Sequence, residues 1–215
     1  MLDDNQDPPE TSLAEEAYRA LLAEIVSARL AGGTVIQQRR LATEHSVSRS
    51  PMRHAISRLE GEGLLVRTGK GLLAVRVVTL KEYLDSLAMR MLLEPSAAYQ
   101  ACGNINADAL AALSEELDAI DRARDPDPED VWHFDDGLHL TIARQCGNGF
   151  MEATIADMRR YTTIFERQAK SVRSKPGVAE HRAILDALAA AEPEGTRQAM
   201  VRHLEMVREG VLRNY

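Results

Sequence analysis

The residues of this 215-residue chain best suited to chemistry are histidines and a carboxylate at helical spacing. Asp135 and His139 stand four apart in FDDGLHLTIARQCGN, a spacing that puts both side chains on one face of a helix. His181 and His203 fall on two later helical stretches, the fifth and sixth of a series. One carboxylate and three imidazoles suit Zn²⁺, Ni²⁺ or another first-row divalent ion. Spacing alone leaves a second reading open, in which the four are ordinary bundle residues. His45, His54 and His133 are read that way, as surface or satisfied core histidines. A metal-dependent hydrolase would need an open coordination position and a nearby general base. Glu94 is available, but there is no HExxH and no nucleophile–base pair.

A second chemistry lies near the N-terminus. Ser48, Arg49, Ser50 and Arg53 cluster at the start of a helical stretch, with Arg49 and Arg53 on one face. Arginine suits guanine O6/N7 or phosphate. Arg39 and Arg40 open the preceding short helix, within reach of a nucleic-acid backbone. The turn Thr68-Gly69-Lys70-Gly71 is small and basic, suited to a groove. A merely solvated basic face is the competing account, and the joint order of helix, turn, helix and basic hairpin favours DNA. Charge is divided accordingly. Residues 11–78 carry ten Lys/Arg against six Asp/Glu, whereas the whole chain has a net charge of −7. A non-specific nucleoid protein would explain the basic part but not the large acidic remainder.

These residues need elements to hold them. Leu13, Ala17, Leu21, Ile25 and Val26 recur at helical spacing, with Thr11 or Ser12 as cap and Gly32-Gly33 as stop. Further helices are expected over Gln38–His45 and Ser48–Gly61, the latter capped by Ser48. Leu64–Val66 and Leu72–Val78 read as a short hairpin. After Thr79 the pattern is helical throughout, near 80–102, 106–124, 127–146, 149–171, 176–191 and 194–213. Six antiparallel helices with short connections make a bundle. The expected fold is therefore mainly α. A disordered lead-in spans 1–10, a winged helix-turn-helix 11–78 and an all-helical domain 79–215. No apolar run is long enough to span a bilayer, and the acidic start is not a signal peptide. Cys102 and Cys146 fit no disulfide framework and read as reduced thiols of a cytoplasmic protein.

The stretch LATEHSVSRSPMRHAISRLEGEGLLVRTGKG resembles the winged helix of GntR-type regulators, whose pattern runs, loosely, LA..lgVSRtPVReAL.rLe.eGLv...pg.G. Leu41-Ala42, Val47-Ser48-Arg49, Pro51, Arg53, Ala55, Leu59, Glu60, Glu62-Gly63-Leu64 and Gly71 match in order. Ser46 stands where that pattern has glycine, and His54 where glutamate is common. FDDGLHLTIARQCGN is similar to the D..FH..l...sgN motif of the FCD effector domain of the FadR subfamily. AEHRAILDALAA, AMVRHLEMV and MRMLLEP are similar to its other motifs. Leu138 replaces a phenylalanine.

The resemblance implies DNA contacts from Arg39, Arg49, Ser50, Arg53 and Gly69. It implies metal ligation by Asp135, His139, His181 and His203, and an effector contact from Arg90. The helix number resembles the shorter VanR-like form, and retention of all four ligands argues against acyl-CoA as effector. A homodimer on an imperfect palindrome and a small carboxylate metabolite are the partners implied.

Overall fold

The computed structural model describes residues 10–169 and 177–213. The expected lead-in lies outside the described residues except for Glu10, as do residues 170–176 before the penultimate helix. The chain divides between Val78 and Thr79 into two compact units.

The first unit opens with α1 (Glu10–Val26), which buries Ala17, Tyr18, Leu21 and Ile25 along one stripe. This helix already includes Thr11 and Ser12, so neither caps it. Ser12 instead donates from Oγ to Glu16 Oε1 at 3.2 Å, within the helix. α2 (Gln38–Glu44) and α3 (Arg49–Gly61) follow. Met52, Ala55, Ile56 and Leu59 form the buried stripe of α3. Ser48 occupies the cap position in an extended conformation, yet its side chain bonds no helical N–H. The turn before it passes through Ser46 at φ +54°, in the left-handed region where glycine is usual.

β1 (Leu65–Arg67) and β2 (Leu73–Val75) pair antiparallel, Leu65 opposite Val75 and Arg67 opposite Leu73. Thr68 N–H donates to Leu72 O at the tip, which Gly71 turns with φ +72°. A third segment unforeseen from sequence lines this wing. Gly33 and Ile36 donate backbone bonds to Val75 and Leu73, and Val35 bridges Ala74.

The second unit contains six described helices: α4 (Leu80–Ala101), α5 (Ala107–Arg122), α6 (Pro128–Gln145), α7 (Gly149–Ala169), α8 (Val178–Ala189) and α9 (Pro193–Leu212). Their starts have local causes. Thr79 and Glu82 form a reciprocal capping box on α4, Asn106 caps α5, and Asp127 caps α6 with Pro128 at the first helical position. α4 is central, packing against α6, α7 and α9, while α8 packs on α5 and α9. Tyr83, Leu87, Phe134, Leu138, Ile184, Met200 and Leu204 fill the interior between them. No described helix is long and apolar enough to cross a membrane.

Candidate functional site

Inside the second unit, side chains from five helices meet. α6 supplies Asp135 and His139, α8 supplies His181 from its first turn, and α9 supplies His203 from its middle. One donor atom from each of these four lies within 4.8 Å of the others. All three imidazoles are at most 2% exposed. His139 Nε2 lies 3.2 Å from His203 Nε2 and 3.8 Å from Asp135 Oδ1, and His181 Nε2 lies 3.0 Å from Asp135 Oδ1. Phe134 packs edge-on against the His181 ring.

α4 and α7 surround this group with charge. Arg90 donates from Nε to Glu94 Oε1 at 2.5 Å and from Nη1 to Thr162 Oγ1 at 3.0 Å. The other Glu94 oxygen, Oε2, meets His139 Nδ1 at 2.5 Å. Arg159 of α7 donates from Nη2 to Asp135 Oδ2 at 2.6 Å and to Asp136 Oδ1 at 2.5 Å.

Burial alone would raise the Glu94 carboxyl, but Arg90 and then His139 hold it far below the usual carboxylate range. Asp135 is depressed in the same way, burial being outweighed by Arg159 and the His181 hydrogen bond. For His139 burial dominates and lowers its pKa, although Glu94 opposes it. Burial works against the Arg159 charge too, yet Asp136 and Asp135 raise its pKa.

The Glu94–His139 contact assigns the His139 proton. An ionised Glu94 only accepts, so His139 carries its hydrogen on Nδ1 and presents a lone pair from Nε2. A carboxylate that accepts from one ring N–H in this way orients the opposite nitrogen toward a metal. With that tautomer, His203 is the donor in the Nε2–Nε2 contact. His181 likewise donates from Nε2 to Asp135, and its Nδ1 is buried with no partner among the described residues. The donor set fits a divalent cation: one carboxylate oxygen and three imidazole nitrogens come from three helices to within 4.8 Å of one another.

Sequence reading brought Asp135, His139, His181 and His203 into one set, and the structure places them together. Arg90 lies one carboxylate away, through Glu94. Glu94 had been assigned no work, although its i, i+4 relation to Arg90 is visible in sequence. Arg159, Asp136 and Thr162 were missed. Asp136 adjoins a candidate ligand, but nothing in the sequence distinguishes Arg159 from its neighbour Arg160.

In the first unit Arg39, Arg40, Ser48, Arg49, Arg53, Gly69 and Lys70 are exposed and Ser50 is half-buried. Arg40 pairs with Glu44 at 3.3 Å. Arg58, on the α1-facing side of α3, bonds Glu15 and Glu62 and stacks over Tyr18. No ion pair ties Arg39, Arg49 or Arg53 among the described residues, so the α3 start keeps its positive charge available. Gln38 Nε2 donates to Arg49 O at 2.9 Å, fixing the start of α2 to that of α3. His45 lies 3.6 Å from Glu24, and His54 and His133 are exposed; the cluster of candidate ligands contains none of the three.

A winged helix with exposed cations at the start of α3, followed in the chain by a helical bundle, is the architecture of a DNA-binding transcription regulator. Residues 13–75 match the gntR family of bacterial regulatory proteins, and residues 85–206 match the FCD domain. The chain belongs to the GntR family, in the branch that carries the FCD domain, and is a regulator rather than an enzyme. It is 23% identical over 210 residues to the HTH-type transcriptional repressor RspR of Escherichia coli, covering 94% of this chain and 90% of that one. It is 27% identical over 164 residues to the gluconate operon transcriptional repressor of Bacillus licheniformis, covering 75% and 67%. In fold it is similar to E. coli McbR/YncC, with a TM-score of 0.81 at 20% identity over 94% of this chain and 98% of that one.

Proposed function

We propose that this regulator is a ligand-responsive repressor, with residues 11–78 holding operator DNA and residues 79–215 holding a divalent metal ion and a small carboxylate effector. The observation that carries the effector half is the buried convergence of Asp135, His139, His181 and His203, with Glu94 orienting His139. Zn²⁺ or Ni²⁺ bound there would supply an electrophilic position for an anion's oxygen. The chain's own groups do the rest. Glu94 keeps the His139 lone pair directed inward, the apolar helices exclude water, and Arg90 adds positive charge for the effector's carboxylate. Repression is supported by relatives that are named repressors.

On the DNA side, Arg49, Ser50 and Arg53 would read base edges. Arg39, Arg40 and Ser48 would brace the backbone, and Gly69-Lys70 would enter a groove. A homodimer on an imperfect palindrome, in the cytoplasm where the DNA lies, completes the reading.

One observation favours a second account, in which the metal only fastens the helices together: the three histidines are almost wholly closed to solvent. Both accounts predict that Zn²⁺ raises the melting temperature of the second unit and that chelation reverses this, because the ligands join α6, α8 and α9. His181→Ala and His203→Ala should lose that response while the winged helix stays folded. Only the first account predicts that a carboxylate panel, screened with metal present, changes affinity for a DNA site selected from a random pool. Wild-type protein that holds no metal by elemental analysis, and melts identically after chelation and reloading, would refute both.

A further inference from the structure

We propose that His54 is a further specificity-determining residue of the DNA-binding unit, selecting a guanine at a base pair other than the one that Arg53 contacts. This rests on the reading of α3 as the helix that enters the major groove, and adds a base contact from a residue that spacing alone leaves on a solvated face.

The placement follows from the period of α3. Met52, Ala55, Ile56 and Leu59 are buried and define its inner face. Ser50 and Ser57 are seven apart, close to two full turns, so they lie almost in line on the opposite face. Arg53 and His54 are consecutive, about 100° apart around the helix, and stand on either side of that line. Both are exposed, in the second turn. Serine is short, so the middle of this face can approach the floor of the groove while the two longer side chains reach base edges on its flanks.

His54 is available for that work. One turn further along the same flank, Arg58 is held by Glu15 and Glu62 and lies over Tyr18, so it faces α1. Other acids of this unit are engaged as well: Glu24 lies against His45, Glu44 pairs with Arg40 and Glu60 with Arg67. Among the described residues no hydrogen bond or ion pair holds His54. Its ring can turn a nitrogen toward a base without breaking a contact.

The chemistry selects the base. An imidazole carries an N–H donor in either tautomer. In the major groove guanine offers two adjacent acceptors, N7 and O6, and no donor. Adenine sets an amino group beside its N7, thymine sets a methyl group beside its O4, and cytosine offers an amino group alone. A donor on this flank of α3 is therefore met best by guanine.

The test is selection of bound DNA from a random pool by the full chain, as wild type, His54→Ala, His54→Glu and Arg53→Ala, followed by titration of single-base operator variants at fixed salt. Wild type should select a guanine whose replacement costs about fivefold or more in affinity. His54→Ala should accept any base at that position and keep the rest of the site. His54→Glu turns a donor into an acceptor and should select cytosine there, through its N4 amino group, a change of preference that damage to the fold cannot produce. Arg53→Ala should relax a different position. Unchanged selection by both His54 variants, or weakening by the same factor on every sequence, overturns the inference, while the change in Arg53→Ala still marks α3 as the helix in the groove. A wild type that selects no sequence at all overturns that reading of α3 as well.

Discussion

At the scale of single residues, the buried cluster is governed by the balance between desolvation and neighbouring charge. Glu94 and Asp135 titrate far lower in the fold than free carboxyls do, and His139 also titrates low. In the metal-free protein all three act in one direction. The unfolded chain takes a proton on His139 below about pH 6.5 and on the two carboxyls near pH 4, before the folded state does. Stability of the second unit should therefore be full near neutrality and decline as pH falls through that range. Urea unfolding of chelated protein at successive pH values checks this; a flat profile down to pH 4 contradicts it. Among the exposed residues, Arg49 and Arg53 form no ion pair with any other described residue. Replacing either with Ala should weaken binding to a selected operator by about 1–3 kcal/mol. Fluorescence anisotropy at fixed salt reads the loss, and unaltered affinity in both would mean that α3 does not enter the groove.

Among the elements, the turn from α2 to α3 carries a cost that sequence comparison hinted at. Ser46 holds a left-handed backbone that disfavours a side chain. Ser46→Gly should stabilise the first unit by about 0.5–1 kcal/mol, once the extra entropy of glycine in the unfolded chain is offset. Thermal unfolding measures this, with DNA affinity expected to stay unchanged. Helices were legible because apolar spacing and stop signals such as Gly61, Gly103-Asn104 and Glu192-Pro193 act locally. Pro95 did not mislead, since α4 continues through it. The third segment of the wing was not legible, because Thr34-Val35-Ile36 has no alternation and is aligned by backbone bonds to β2. The grouping of the candidate ligands was visible through Asp135 and His139 on one helix face and through motif resemblance. The bonds of Arg159 to Asp135 and Asp136 depend on α7 lying against α6, a tertiary fact without a local signature.

For the whole molecule, one winged helix offers a single recognition helix, which reads only a short half-site. Specific operator binding therefore calls for two copies. Light scattering of the free protein and of its complex should give a dimer, and footprinting should show two half-sites about one helical turn apart. A monomer in both conditions would contradict the palindromic reading. The acidic second unit also matters here: net charge over the whole chain is −7, so affinity for DNA has to come from the placement of cations in the first unit.

The run Arg90–Glu94–His139 has a consequence for how such a site can change over generations. Each member is at most 3% exposed and each compensates the next. Losing Arg90 or Glu94 alone strands a buried charge, at a cost of about 3–5 kcal/mol, comparable to the whole stability of many domains. Stepwise drift away from this arrangement is therefore blocked, and paired replacements are rare events. A descendant in which the neighbouring histidines had lost every other use would still inherit these charges, kept by folding alone.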